Sequence, residues 1–306
     1  MRNTGRYIWL GLLLFAAVAC KKEDGITPEA AMPNLFYPDA AATDEYARLC
    51  RDFYAETGCY LLFNDTLKHE YTGNDRYGNP LYSTELLDLT YGVTSSVQWK
   101  FNFNYSTDYQ RALQAVEILK NDILPAMDKR YHPYSFLLVN NFITYDYKIE
   151  EGELYGRWYG PSTSETYYIG SRATLVAIES LLKDKETLKT KLLRNLLEKQ
   201  LTTSVLNDFY APGETYYGRE WMGDFTDSDD FITRTGILAF EETQGVGDDF
   251  LTFWVQSKTA DLKIYLDDLL LGKEEEFMGE YAKYPIVLEK FGLLKEIVLD
   301  LGFNIN

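Results

Sequence analysis

The chain predicts an α+β fold, with a mixed sheet and a crossing helix in the N-terminal half and a mostly helical C-terminal half. Three patterns carry this. "VQWKFNFNY" (97–105) alternates Val97, Trp99, Phe101 and Phe103 with polar neighbours, the period of two of a half-buried strand. "DYQRALQAVEILKNDILPAMD" lines Ala112, Ala115, Val116, Leu119 and Ile123 along one helical stripe that ends at Pro125. From Arg172 onward, apolar residues recur every three to four positions almost throughout. Strands with one crossing helix, followed by a run of helices, is the order of an α+β domain.

The remaining elements follow in order. Residues 20–35, "CKKEDGITPEAAMPNL", hold two prolines and little periodicity and read as a tether to the domain at 36–306. A Thr43-Asp44 start and the spacing of Tyr46, Leu49, Phe53 and Tyr54 predict a helix to Thr57, and "CYLLFND" predicts a strand after it. "DRYGNPLY" (75–82) is turn-rich. "YSFLLVNNFITYDY" (134–147) is β-branched and aromatic and predicts one strand, and "WYGPSTSETYYIG" a loop and a short strand. "TLKTKLLRNLLEKQLTTSVLNDF" (187–209) is the strongest helical stretch, followed by "DDFLTFWVQS", "ADLKIYLDDLLLG" and "YPIVLEKFGLLKEIVLDLG" as further helices. There is no internal repeat and no low-complexity tract.

The N-terminus reads as a targeting segment. Arg2 and Arg6 precede "YIWLGLLLFAAVA", an apolar run short for a membrane span, and small residues lead to Cys20. "AVAC" resembles a bacterial lipobox, which implies a signal peptide over 1–19, cleavage before Cys20 and a lipid anchor on Cys20. Lys22-Glu23-Asp24 resembles the export signal of Bacteroidetes surface lipoproteins, which implies the outer face of the outer membrane. Without residues 1–19 the chain carries 28 basic against 47 acidic side chains, or −19. Such a surface repels phosphate backbones and disfavours nucleic acid and anionic lipid as partners. Cys50 and Cys59 then remain, and read either as a local disulfide or, by preference, as two buried thiols.

The window "RNLLEKQL" has the frame of a zinc-protease helix with aliphatic residues at the ligand positions. Such a site needs two imidazoles one turn apart and a glutamate that polarises the metal-bound water. The lipobox, a helix packed on a sheet, "ETYYIG", "LKTKLLRNLLEKQL", "TRTGILAFEETQGVGDDFLTFW" and the closing "YPIVLEKFGLLKEIVLDLGFNI" together resemble, in order and spacing, the zinc-binding metallopeptidase lipoproteins of Bacteroidetes. The resemblance covers most of the mature chain and implies a zincin-like fold. It puts Leu197 and Leu201 at the histidine positions, Glu198 at the general-base position, and Ser204 near a later ligand. Leucine offers no lone pair, so the implied member of the family is a degenerate one that binds no metal and needs no cofactor. Leu192, Leu193, Leu196, Leu197 and Leu201 instead form a core-facing stripe, each buried leucine stabilising by roughly 1.5–3 kcal/mol. The two histidines, His69 and His132, fall outside this helix and read as structural.

Two further sets bear on binding. Asp224, Asp227, Asp229 and Asp230 cluster in "GDFTDSDDF", where hard oxygens can hold calcium, although the spacing lacks the EF-hand glycine and a solvated acidic loop is the preferred reading. Tyr155, Trp158, Tyr159, Tyr216, Tyr217 and Trp221 gather in two segments as aromatic faces with polar tips, suited to a glycan or a peptide or else to an aromatic core. The expected function is that of a surface-anchored lipoprotein on an inactive metallopeptidase-like scaffold, binding ligand or assisting nutrient uptake beside an outer-membrane transporter or partner lipoprotein. Two alternatives stand beside it. One is an active hydrolase of the metallopeptidase kind, or one using a carboxylate pair drawn from Glu198, Glu220, Glu241, Glu242 and Asp249 as a glycosidase. The other is a structural subunit of a transporter complex.

Overall fold

"SFLLV" is hydrophobic at every position because its strand is buried on both faces. In the computed structural model, which describes residues 34–90, 99–148, 156–161, 166–244 and 251–305, all five of these residues are buried. Phe36–Asn306 form one compact unit. Its N-terminal half runs α1 (Glu45–Thr57), β1 (Tyr60–Leu62), β2 (Thr66–Asn74), β3 (Pro80–Leu86), β4 (Trp99–Asn104), α2 (Tyr109–Ile118), β5 (Ser135–Val139), β6 (Asn141–Lys148), β7 (Arg157–Tyr159), β8 (Tyr167–Ile169) and β9 (Thr174–Ala177). The C-terminal half runs α3 (Ile178–Lys183), α4 (Lys185–Glu198), α5 (Asn207–Tyr210), β10 (Arg219–Met222), α6 (Ser228–Thr235), β11 (Phe240–Gln244), β12 (Leu251–Val255), α7 (Lys258–Leu270), α8 (Glu274–Glu280) and α9 (Pro285–Asp300).

The central sheet is mixed, in the order β1-β5-β9-β8, with β1, β5 and β9 parallel and β8 antiparallel at the edge. Side-chain alternation divides β5 between two cores. Phe136 and Leu138 meet the helices, while Leu137 and Val139 join Leu175, Ala177, Phe142 and the half-buried Phe101 and Phe103 on the other face. Those last phenylalanines belong to a separate antiparallel sheet, β4-β6-β7. The crossing helix α2 starts at Asp108, whose carboxylate accepts from the Gln110 and Arg111 amides, and passes through a π turn at Leu119–Ile123 into the 3-10 turn that contains Pro125. α1 is capped likewise by Asp44, and Gly58 closes it in the left-handed region. Among the described residues no helix is long and apolar enough to cross a membrane.

The elements depart from expectation at five places. The stretch 134–147 is two strands in different sheets, because the backbone of Asn140 leaves the first to bond Asn104 and Glu179. The turn at 75–79 closes a two-stranded hairpin, β2-β3, whose second strand is exposed along its whole length and so carries no burial pattern. Asp75 shapes that turn, accepting from the amides of Tyr77 and Asn79 and from the Asn79 side chain, which hold its carboxyl below the usual range. The C-terminal half is not helical almost throughout, since β10, β12 and β11 form an antiparallel sheet. "DDFLTFWVQS" supplies β12 rather than a helix, with Phe253 and Val255 buried and Trp254 between them exposed. The helix expected over 187–209 stops at Glu198. Gln200 and Leu201 both bond the Leu197 carbonyl, and the hydroxyl-bearing run Thr202-Thr203-Ser204 offers the backbone other partners.

One ion pair ties the C-terminal half together. Lys290 on α9 and Asp261 on α7 are 1% and 0% exposed, and their Nζ–Oδ2 distance is 2.7 Å. The ammonium donates also to the Gly236 carbonyl at 2.7 Å and the Tyr217 hydroxyl at 3.3 Å, which uses all its protons. Asp261 accepts from the Tyr217 hydroxyl and from the amides of Leu238 and Ala239. The rings of Phe209 and Tyr265 lie 4.4 and 4.8 Å from the cation. Burial pulls the Lys290 ammonium below the usual lysine range, and Asp261 opposes that shift. Gly236 caps α6 at φ 61°, and a Cβ there would come within 2.6 Å of Ile286.

Removing one partner leaves the other charged, buried and alone. Lys290→Met is expected to cost about 3–5 kcal/mol in urea denaturation, and adding Asp261→Asn to it is expected to restore part of that loss.

Candidate functional site

α4 carries the window with the zinc-protease frame. Its N-terminus is set by Asp184, which accepts from the Thr187 amide, and Arg194 pairs with Asp267 on α7. Leu197 is 0% and Leu201 7% exposed, both in the main core with Leu192 and Leu193. Leu201 lies beyond the end of the helix. Glu198 is exposed, and so is Ser204, which shares a hydrogen bond with Thr202. The residues at these positions do not fit zinc, because the inward side chains are hydrocarbon and the exposed carboxylate has no ligand beside it. Among the described residues no group of three or more His, Cys, Asp or Glu side chains is placed to hold a metal ion.

The histidines stand elsewhere. His132 Nε2 lies 3.1 Å from the Leu124 carbonyl and 3.3 Å from that of Met127, and so donates to the turn that ends the crossing helix. His69 is exposed on β2, bonded to the Thr84 hydroxyl and stacked on Tyr82 at 4.6 Å. Neither meets Glu198. Cys50 and Cys59 are free and buried. Burial, reinforced by Asp44, pushes the Cys50 thiol up to about 12, and burial raises Cys59 as well.

The six aromatic residues divide. Tyr155 and Cys20 lie outside the described residues, as does Asp249. Tyr216, Tyr217 and Trp221 are half-buried and pack into the core beneath β10-β12-β11, so they do not form an open binding face. The Trp221 indole donates to the Tyr216 carbonyl, and Tyr217 is spent on Asp261, its hydroxyl held protonated first by burial and then by that carboxylate. Trp158 and Tyr159 on β7 are 46% and 37% exposed. Trp158 packs on Tyr147 at 5.3 Å and reaches a cleft of about 330 Å³ lined also by Lys100, Phe101, Phe103, Asp65 and the 86–90 segment. Asp65 accepts from the Tyr105 hydroxyl at 2.7 Å, and Asp88 from the amide and hydroxyl of Thr90. An aromatic surface with carboxylates, a hydroxyl and one ammonium around it can stack a ring and fix its polar edge. The sequence singled out Trp158 and missed Asp65, Asp88 and Lys100, which only the meeting of the hairpin base with β4 and β7 brings together.

The acidic loop is occupied by its own chain. Asp227 caps α6 through the Asp230 amide, Asp230 accepts from the Thr226 amide and faces Arg234, and Arg234 also binds the Asp224 carbonyl. Asp229 bonds Lys283 and the Tyr284 hydroxyl, each at 2.6 Å, which hold its carboxyl below the usual range. These oxygens hold α6 and the start of α9. Among the described residues, no hydrogen bond links two of the carboxylates named for a glycosidase pair. Glu242 bonds Ser228, and Glu220 and Glu241 stand on β10 and β11 with the Trp254 strand between them. Two strand spacings place their backbones about 10 Å apart, with Trp254 between them on the same sheet face.

Two outcomes follow for this region. Leu197→His with Leu201→His is expected to lose at least the ~2–5 kcal/mol of a core leucine truncation and to retain no zinc after dialysis, read by denaturation and elemental analysis. A thiol-reactive dye at neutral pH is expected to leave Cys50 and Cys59 unlabelled in the native chain and to label both after unfolding, since reactivity belongs to the thiolate.

The geometry stands by itself for this chain: comparison with protein-family models, with curated proteins and with solved structures finds no match.

Proposed function

We propose that this chain is a lipid-anchored surface protein on a zincin-like scaffold that has given up metal chemistry, and that it binds a saccharide at the Trp158 cleft as an accessory to nutrient uptake at the outer membrane. The observation that carries the non-catalytic reading is the burial of Leu197 and Leu201, hydrocarbon where imidazoles would be needed. The cleft supports the choice of ligand class. Trp158 offers a ring face, while Asp65, Asp88, Thr90 and Lys100 offer hydrogen-bonding groups around it. The lipobox at Cys20 and the acids that follow it support the placement. An acidic surface of this size also keeps the domain off an anionic membrane to which its tether would hold it.

Soluble neutral and acidic oligosaccharides titrated into the protein test the reading through tryptophan fluorescence and calorimetry. The expected result is a saturable change that Trp158→Ala weakens by at least about tenfold, roughly 1.4 kcal/mol, with the melting temperature unchanged. Stoichiometric zinc together with peptide cleavage, or no saccharide response in any series, overturns it.

A further inference from the structure

The outer face of the C-terminal sheet sets a tryptophan between two carboxylates. The register pairs Glu220 with Trp254 and Trp254 with Glu241. Directly opposed residues share a face with Cβ atoms about 4.5–5.5 Å apart, so the three side chains form one row across the strands. The adjacent row is Met222, Thr252 and Thr243. Trp254 is 52% and Met222 68% exposed, and both glutamates are exposed. The core does not need this tryptophan, because Phe253 and Val255 already pack against Phe225, Phe231 and Ile237 on the opposite face. Among the described residues the side chain of neither Glu220 nor Glu241 makes a hydrogen bond or an ion pair. An indole face attracts a cation within about 6 Å, and carboxylates at its flanks add to that attraction.

We infer that this face docks a partner protein through an arginine side chain. The guanidinium lies over the Trp254 ring, its N–H groups donate to Glu220 on one side and Glu241 on the other, and an apolar neighbour on the partner covers Met222. Arginine fits better than lysine, because a planar fork stacks on the indole while reaching both carboxylates, and an ammonium satisfies only one at a time. A second copy of this chain is a poor occupant, since two bodies of net charge −17 repel. The face belongs to a different sheet from the Trp158 cleft, so either assignment can fail without the other.

The test uses fluorescein-labelled acetyl-Leu-Arg-Leu-Arg-amide and its lysine counterpart, titrated into the full chain at about 0.15 M salt, where the Debye length is about 8 Å, and followed by anisotropy. The arginine peptide is expected to bind more tightly than the lysine peptide. Trp254→Ala and the pair Glu220→Gln/Glu241→Gln are each expected to weaken it at least tenfold. The pair Glu275→Gln/Glu276→Gln, which removes the same charge from exposed positions on α8, is expected to leave it unchanged. Circular dichroism melts confirm that each variant is folded, as the exposure of these side chains leads one to expect. Equal weakening by both charge-removing pairs means bulk attraction to an acidic chain and overturns the proposal, as does full binding by Trp254→Ala or no binding of the arginine peptide.

Discussion

The Lys290–Asp261 pair is the constraint around which the C-terminal half is arranged. Two charges out of water are stable only if every donor and acceptor on them is met, and here five chain segments meet them. Tyr217 arrives ahead of β10, Gly236 caps α6, Leu238 and Ala239 lead into β11, and the pair itself joins α7 to α9. The polar centre thus joins the helical body to the small sheet through hydrogen bonds as well as packing.

Rooting the three-stranded sheet from one end has a consequence for its faces. Phe225, Phe231, Ile237, Phe253 and Val255 bury the inner face as a small core of their own, and Phe231 stacks on Phe253 at 5.0 Å. The outer face leaves Trp254 and Met222 exposed while Thr252 between them is buried. Trp254 and Met222 stand in solvent there, and the inner core is complete without them. In the N-terminal half the arrangement is different. The central sheet is covered on both faces, and its open chemistry lies where the hairpin base meets the β4-β6-β7 sheet.

Much of this was legible in the sequence, and the gaps have physical causes. α1, α7 and α9 follow their apolar spacing because each is amphipathic against one core. β12 does not, because Phe250, Phe253 and Trp254 mimic helical spacing while the true alternation, Phe253 and Val255 in and Trp254 out, spans too few residues to declare itself. The break at Asn140 is invisible because the two strands it separates are equally apolar. Of the site, Trp158 could be read from its setting. Tyr216, Tyr217 and Trp221 could not, since an aromatic residue written beside glycine looks the same whether it packs inward or faces water. The ion pair left one trace: Lys290 falls within the stripe of Val287, Phe291, Leu294 and Val298, a charge on a buried face. Asp261, near the start of α7, had the ordinary look of a helix-dipole partner.

Neither face of α4 offers the ligands of a zinc site. Leu197 and Leu201 point into the core, where a ligand would be unreachable by substrate even if it could bind an ion. The face that opens toward β8 lines a cavity of about 390 Å³ and carries Asn195 and Lys199, one turn apart. Asn195 already donates to the Tyr167 hydroxyl, and Tyr167 in turn donates to the Lys191 carbonyl. Lysine at the second position brings a positive charge that would repel a divalent cation. The inward pair lacks lone pairs and the outward pair has the wrong charge, so no rotation of this helix about its axis recovers a zinc site. What the helix has is packing on one side and a hydrogen-bonded wall on the other.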